Sequence, residues 1–317
     1  MAPIKLKLKR RRVSILRRLI LEKTMNERIS PKLLGILLIT PSLIVIVAIM
    51  IYPLINVIYL SFTKSFLTDP TGSYKFVGIK NYILLFHNPV FWVALKNTLT
   101  YVGGTVFLEF ILGFAVALLL NQQIKYRTTL RGLFMLPWIT PSVVVALLTM
   151  WVFNSNFGVV NYILKSLRII PHFLGWLKDP SLALFTILIV TVWKMFPFMV
   201  VVLLAGLQTI PEEQIEAAKV DGGNSLQRFF YITLPHMREL IMIVTLLEFI
   251  WMFQYITIIW TTTKGGPIYA TTTLPVLIYR SAFKDYNMGY AAAIGVFWLS
   301  FLLLFSVFYV KVVGEKE

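Results

Sequence analysis

Long apolar stretches separated by short polar segments make up most of the chain. In windows of about 20 residues, the hydropathy is typical of bilayer-crossing helices in six places. Each stretch is long enough to cross roughly 30 Å of hydrocarbon as an α-helix. The pattern predicts an all-α integral membrane protein with six transmembrane helices, at residues 34–58, 93–120, 129–153, 181–207, 237–260 and 289–313.

The composition supports a membrane protein. Hydrophobic residues make up 58% of the chain, and the mean hydropathy is +0.78, whereas soluble domains are about 45–50% apolar. Most of the surface is therefore expected to face lipid. Cysteine is absent, which excludes disulfides, thiolate metal sites and cysteine nucleophiles.

Prolines interrupt three of the predicted spans. Membrane bundles tolerate such prolines where neighbouring helices or cavity water satisfy the carbonyl groups that lose their helical partners. The prolines therefore mark either hinge and cavity positions or ordinary packing kinks. They are Pro41, Pro53, Pro137, Pro141 and Pro197.

The distribution of basic residues predicts the orientation. Residues 1–33 form a basic tail before the first span, which places the N-terminus in the cytoplasm by the positive-inside rule. Six crossings of the domain 34–313 return the short C-terminal tail, 314–317, to the same side. The polar segment 208–235 then also lies in the cytoplasm.

The net charge of +16 raises the question of nucleic-acid binding. The cations lie at the predicted membrane edges and not on a basic soluble domain or an aromatic-studded groove. Membrane topology and attraction to anionic lipid explain them better. We therefore expect membrane lipid, and no nucleic acid, as a partner.

The segment 208–235 carries the most informative pattern. Residues 216–218 (Glu-Ala-Ala) favour a helix, and residues 221–223 (Asp-Gly-Gly) favour a sharp turn because glycine accepts positive φ. An apolar helical pattern follows and ends at Leu234 and Pro235. This sequence predicts a surface helix-turn-helix, whose small exposed face suits docking into a groove of another protein.

The segment resembles the EAA loop of permease subunits of binding-protein-dependent ATP-binding-cassette importers. Gly223 departs from the family pattern, which usually has alanine there, and is expected to loosen the turn without removing it. The residues that carry the resemblance are Glu216, Ala217, Ala218, Asp221, Gly222, Phe229, Leu234 and Pro235.

Further stretches resemble the carbohydrate branch of this importer family. Residues 265–267 (Gly-Gly-Pro) precede a final span that begins with residues 289–293 (Gly-Tyr-Ala-Ala-Ala). The stretch 193–211 also matches, so the similarity covers nearly the whole chain after about residue 34. The resemblance implies the type I importer transmembrane fold, similar to maltose and glycerol-phosphate permeases, in a prokaryotic inner membrane.

The same resemblance implies a division of labour. A second homologous permease subunit would complete the translocation path, two ATPase subunits would bind ATP and Mg, and an extracytoplasmic solute-binding protein would deliver the sugar. This chain would bind no cofactor and would not be an enzyme. It contains no Gly-Lys pair and hence no P-loop, whose lysine reaches nucleotide phosphates.

The resemblance also implies roles for the coupling loop, which we define as residues 208–235. An alternative is that its helix only presents a solvated face and that Asp221 only caps it. In the docking interpretation Glu216 is a polar anchor to the ATPase, Ala217 and Ala218 form the close contact, Asp221 and Gly222 form the turn, and Leu234 and Pro235 end the motif.

Charged residues within spans point to a substrate path, because they are expensive in lipid and usually face a cavity or a partner. Those that lie far from the ends of a span are Glu109, Lys194 and Glu248. Aromatic rings stack on apolar sugar faces, and carboxylates accept hydrogen bonds from sugar hydroxyls. With the family resemblance, this nominates Met195, Phe198, Glu248, Trp251, Met252 and Tyr255.

Other interpretations of these positions stay open. The aromatic and methionine stripe also fits packing between helices, and Glu248 could pair with Lys194 structurally. Where the family often has Asn and Asp, this chain has Gln254 and Thr257.

The alternative functions are import of another solute, such as glycerol phosphate or a peptide, and an ion-driven secondary transporter. The three histidines are scattered, and no hydrolase or metalloprotease motif occurs.

Overall fold

The computed structural model describes residues 30–69, 72, 74–122 and 125–314, and these are mostly helical. Most of the predicted basic tail 1–33, and residues 315–317 of the predicted C-terminal tail, lie outside the described residues. The described chain divides into two compact units after Tyr59.

The described part of the first unit is a single long apolar helix. Ser30 caps its start, since its hydroxyl oxygen accepts a hydrogen bond from the Leu33 N–H at 3.2 Å. Exposed apolar side chains occur all along it, which fits a helix surrounded by lipid. The helix consists of α1 (Pro31–Ile46), a π-helical turn (Val47–Ile51) and α2 (Tyr52–Ser61), whose last two residues belong to the second unit.

The second unit begins with a small antiparallel hairpin, in which Thr63 is opposite Phe76. Helices follow. The first elements are β1 (Thr63–Lys64), β2 (Lys75–Phe76), α3 (Lys80–His87), α4 (Pro89–Asn121), α5 (Arg127–Phe134), α6 (Leu136–Ile139), α7 (Ser142–Val152), α8 (Val159–Ser166) and α9 (Pro180–Leu207). The remaining ones are α10 (Glu212–Val220), α11 (Ser225–Arg228), a second π-helical turn (Phe229–Thr233), α12 (Leu234–His236), α13 (Arg238–Gln254), α14 (Thr257–Thr262), α15 (Leu274–Phe283) and α16 (Met288–Gly314).

Five helical stretches of the described chain are long and apolar enough to cross a membrane. A sixth span is present if the bent pair Arg127–Ile139 and Ser142–Val152 counts as one. The predicted all-helical membrane fold is confirmed. The five stretches are Lys32–Ser61, Pro89–Asn121, Pro180–Leu207, Arg238–Thr262 and Met288–Val312.

Both π-helical turns end next to a proline. In such a turn a backbone N–H bonds to the carbonyl five residues back instead of four. Tyr52 does so directly before Pro53, and Leu234 does so directly before Pro235. Proline lacks an N–H and clashes with the carbonyl four residues earlier, so the widened turn accommodates it without ending the helix.

The third predicted span, 129–153, is not one straight helix. Its two halves are bent by 87° between Ile139 and Ser142. Thr140 has extended backbone angles, φ −68° and ψ 130°, because a residue before proline is disfavoured in the helical region. Here Pro141 follows. The proline therefore marks a sharp break and not an ordinary kink.

Side chains satisfy two of the carbonyl groups at this break. The Thr140 hydroxyl donates to the Leu136 carbonyl at 2.8 Å, and the Lys194 ammonium donates to the Trp138 carbonyl at 3.1 Å. Unpaired carbonyl groups are costly in a bilayer, where water cannot replace the lost helical bond. The break is thus fixed by a side chain from α9.

Helices α4 and α9 pack along much of their lengths. Asp179 caps the start of α9, and its hydrogen bonds to Ser181 lower the pKa of this carboxyl. Further along, a Cβ on Gly113 would lie 2.7 Å from Met199 Cγ and 2.8 Å from Met199 Cβ. Glycine is needed there, because any larger residue would push the helices apart.

We therefore expect Gly113→Ala to lower the midpoint of thermal unfolding, since overpacking a well-packed contact costs about 1–3 kcal/mol. Gly103→Ala is the matched control in the same helix, because its Cβ would meet nothing within 4 Å. Alanine should leave that site unchanged or stabilise it through helix propensity. Thermal unfolding of the purified chain in detergent, followed by tryptophan fluorescence, measures both. Equal shifts in the two variants would contradict the close contact.

Candidate functional site

The coupling loop contains the predicted helix and turn. Helix α10 carries Glu216, Ala217 and Ala218, and Glu212 and Glu213 in its first turn interact favourably with the helix dipole. Glu216 and Ala217 are exposed, whereas Ala218 is half-buried.

The chain turns at the end of α10 through Gly222, whose φ is +80°. This left-handed conformation favours glycine and is strained for other residues. The Asp221 N–H donates to the Ala217 carbonyl at 2.9 Å. The predicted Asp-Gly turn is present.

Hydrogen bonds fix the backbone of Gly223 at both its N–H and its carbonyl group. Its N–H donates to the Ala218 carbonyl at 2.8 Å, and its own carbonyl accepts a bond from Arg228 Nη1 at 2.6 Å. A Cβ on Gly223 would lie 2.8 Å from the Ala218 oxygen. Glycine therefore permits a close backbone approach, and the turn is tied here instead of loosened as the sequence suggested.

A capping box starts the second helix of the loop. The Gln227 N–H donates to the Asn224 side chain at 2.8 Å, and the Asn224 N–H donates to the Gln227 side chain at 2.7 Å. The Phe229 ring then packs against Phe114 of α4, with ring centroids 5.3 Å apart. The loop is thus anchored to the bundle at the π-helical turn that leads to Leu234 and Pro235.

The loop exposes apolar side chains that sequence reasoning missed. Val220, Leu226 and Tyr231 are 88%, 69% and 80% exposed. These side chains leave apolar area uncovered on the coupling loop. Their position next to polar residues such as Asp221 and Gln227 was the available signal.

A cleft of about 730 Å³ lies beside α10. Arg127 and Arg131 of α5 line it together with Glu212, Glu216 and Lys219 of α10. Glu216, an exposed residue, therefore borders this cleft.

The second group of candidates lies where two helical breaks meet. Tyr255 ends α13 with extended backbone angles, and its hydroxyl donates to the Ser142 hydroxyl at 2.9 Å. Ser142 starts α7 directly after the proline break of the third span. Irregular backbone at membrane depth is tolerated where it is buried in protein or lines a water-filled cavity.

Three aromatic rings form a partly exposed surface beside these breaks, which we call the aromatic face. The Trp138 ring stacks on Phe198 with centroids 6.0 Å apart and planes inclined by 24°. Phe198 contacts Trp251 at 5.0 Å. Trp138 and Trp251 are 37% and 42% exposed. The sequence nominated Phe198 and Trp251 but not Trp138, which only the break brings into contact.

The other nominated residues are not on this surface. Met195, Glu248 and Met252 are buried inside the bundle. The suggested pairing of Glu248 with Lys194 is wrong, since Lys194 donates to the Trp138 carbonyl and the Glu248 oxygens have no hydrogen-bond partner among the described residues.

Comparison with known proteins places these features in a family. The family of binding-protein-dependent transport system inner membrane components matches residues 109–313, which include the coupling loop and the aromatic face. A trehalose/maltose transport system permease protein of Thermococcus litoralis is 36% identical over 88% of this chain and 93% of its own length. A sulfoquinovosyl glycerol transport system permease protein of Agrobacterium fabrum is 32% identical over 90% of this chain and 92% of its own length.

Solved structures agree on the fold. A bacterial ABC transporter involved in the import of the acidic polysaccharide alginate contains a chain with a TM-score of 0.73 and 22% identity, covering 97% of this chain and 99% of that chain. A chain of the alginate transporter solved in complex with an alginate pentasaccharide-bound periplasmic protein has a TM-score of 0.75 and 23% identity, covering 89% of this chain and 95% of that chain. This chain is a multi-pass membrane protein that belongs to the family of binding-protein-dependent transport system inner membrane components.

Proposed function

We propose that this chain is the permease subunit through which an ATP-driven importer moves a sugar or oligosaccharide into the cytoplasm. Trp138, Phe198 and Trp251 carry the proposal, because they present three contacting aromatic rings beside irregular backbone in the membrane-spanning part. Aromatic rings bind the apolar faces of sugars. The relatives named for trehalose and maltose and for sulfoquinovosyl glycerol support this substrate class.

Tyr255 and Lys194 position the proposed path. The Tyr255–Ser142 hydrogen bond joins the two broken helices, and Lys194 holds the Trp138 carbonyl in place. Because the Lys194 ammonium is engaged there, it is a poor binding group for a phosphorylated solute. Met195, Glu248 and Met252 are buried inside the bundle and are not part of the aromatic face.

The coupling loop is the proposed joint with an ATPase. Glu216 borders a cleft, and the exposed apolar side chains of Val220, Leu226 and Tyr231 supply the contact area. Two ATPase subunits would bind ATP and Mg and move the loop as a rigid body, since the hydrogen bonds of the turn and of the capping box restrict its backbone. A second permease subunit would complete the path, and an extracytoplasmic binding protein would deliver the sugar. Both termini would then lie in the cytoplasm.

The substrate class can be tested with the complete transporter in proteoliposomes. Labelled maltose, trehalose, glycerol phosphate and a short peptide are offered with their binding proteins, and ATP-dependent uptake is measured. We expect uptake of a sugar or oligosaccharide. Uptake of the peptide or glycerol phosphate alone would contradict the proposal.

Replacing Gly222 tests the joint. We expect Gly222→Leu to reduce sugar uptake per ATP hydrolysed, because a side chain at φ +80° strains the turn by roughly 1–2 kcal/mol, on the order of tenfold in a docking equilibrium. Gly78→Leu is the matched control, since its φ is +59° and its Cβ also meets nothing within 4 Å. Uptake and ATP hydrolysis are measured together. The same coupling ratio in both variants would count against docking through this turn.

Replacing Trp251 tests the aromatic face. Trp251→Ala should raise the KM for sugar uptake by up to about tenfold, because an aromatic contact contributes about 0.5–1.5 kcal/mol beyond buried area. Basal ATP hydrolysis should stay unchanged. Trp151→Ala removes another exposed tryptophan, at the end of α7 and outside the aromatic face. An unchanged KM in the Trp251 variant would remove this ring from the proposed path.

A further inference from the structure

Three buried polar side chains, on helices α4 and α13, make no hydrogen bond to any residue that the structure describes. Thr105, Glu109 and Glu248 are each 0% exposed. None of their side-chain oxygen atoms has a hydrogen-bond partner among the described residues. Buried polar groups are normally hydrogen-bonded, and an unpaired carboxylate in a membrane interior is especially costly. This cluster therefore requires a physical explanation.

The three groups share one region. Thr105 and Glu109 are four residues apart on α4 and thus lie on the same helical face, one turn from each other. Helix α13, which carries Glu248, packs against α4. The carboxyl groups of Glu109 and Glu248 are near enough to interact electrostatically. Two carboxyl groups and a hydroxyl from two packed helices thus lie in one buried region of the bundle.

The neighbouring polar groups are already engaged. The phenols of Tyr101 and Tyr255 are near enough to interact electrostatically with Glu109. Tyr101 shares a hydrogen bond with Thr191 at 2.9 Å, and Tyr255 donates to Ser142. Lys194 donates to the Trp138 carbonyl. None of these side chains therefore neutralises the carboxyl groups of Glu109 and Glu248.

Direct proton sharing between the two acids does not satisfy them either. A protonated acid that donates to its neighbour needs the two carboxyl groups within hydrogen-bonding distance, and neither group has such a partner. A small species that lies between the carboxyl groups of Glu109 and Glu248 would bond to both of them.

We propose that Glu109, Glu248 and Thr105 bind a small hard metal cation between α4 and α13. Two carboxylates and a hydroxyl offer up to five oxygen atoms, the ligand type that hard cations prefer. A divalent ion would balance both carboxylates, whereas sodium would leave a proton on one of them. The bound ion joins two helices of the membrane bundle, one of which, α13, ends at the irregular backbone beside the aromatic face.

The test uses the full-length chain purified in detergent and stripped with a chelator. Calcium chloride or sodium chloride is titrated at constant pH and at an ionic strength held with choline chloride. We expect one of the two ions to raise the unfolding midpoint progressively with the logarithm of its concentration, as a ligand of the folded state does. Equilibrium dialysis with that ion, radiolabelled, should give about one ion per chain in the saturating range.

Glu109→Gln and Glu248→Gln should each abolish the ion-dependent shift and the bound label, while the proteins still fold. Glu213→Gln, an exposed glutamate on α10, should keep both. Folding of the variants is checked by their cooperative unfolding in choline chloride alone. If neither ion shifts the wild-type midpoint or binds, or if the Gln variants respond as the wild type does, the proposed site is overturned and the two acids are simply neutral.

Discussion

The bilayer interior offers no water to backbone groups, and this constraint shapes the functional parts of the molecule. Two departures from the α-helix next to a proline in the membrane-spanning part are matched by a local compensation. In the first span a π-helical turn precedes Pro53; a similar turn precedes Pro235 in the coupling loop, outside the bilayer interior. At the third span, side chains of Thr140 and Lys194 take over the carbonyl groups that the break leaves open. The breaks are therefore fixed features and not loose ones.

The helix breaks in the membrane-spanning part and the exposed coupling loop have different roles. Where the backbone leaves the helix inside the membrane-spanning part, aromatic side chains reach a partly exposed surface. Where it leaves the helix at the coupling loop, the hydrogen bonds that Gly223 and Asn224 donate and accept make a short rigid unit. A rigid loop can transmit displacement to the bundle through the contact of Phe229 with Phe114. The proposed sites of transport and of coupling thus lie at two irregularities of one helical framework.

Much of this could be predicted from the sequence. Hydropathy alone located the spans, because length and apolarity decide membrane crossing. The turn of the coupling loop followed from Asp221 and Gly222, since glycine alone adopts positive φ freely. The 87° bend was not predicted, although Pro137 and Pro141 marked its position. A proline shows where a helix can break, but packing decides by how much.

The side-chain environments were harder to predict, because helices that are apolar on all sides give no signal for which face is buried. Glu248 and Trp251 are three residues apart on α13, yet one is fully buried and the other is 42% exposed. Trp138 joined the aromatic face only through the bend. Gly223 was predicted to loosen the turn. Its close contact with the Ala218 carbonyl forms only when the turn is closed, so this contact could not be read from the sequence.

The proposed docking of the coupling loop onto an ATPase in the cytoplasm can be tested with a single introduced thiol. The chain contains no cysteine, so Val220→Cys introduces a single thiol at a position that is 88% exposed. Site-specific cross-linking of the assembled transporter from this thiol measures its neighbour directly. The account predicts a cross-link to the ATPase subunit and protection from membrane-impermeant reagents applied outside the cell. A thiol that reacts from outside, or that cross-links to no ATPase, would contradict it.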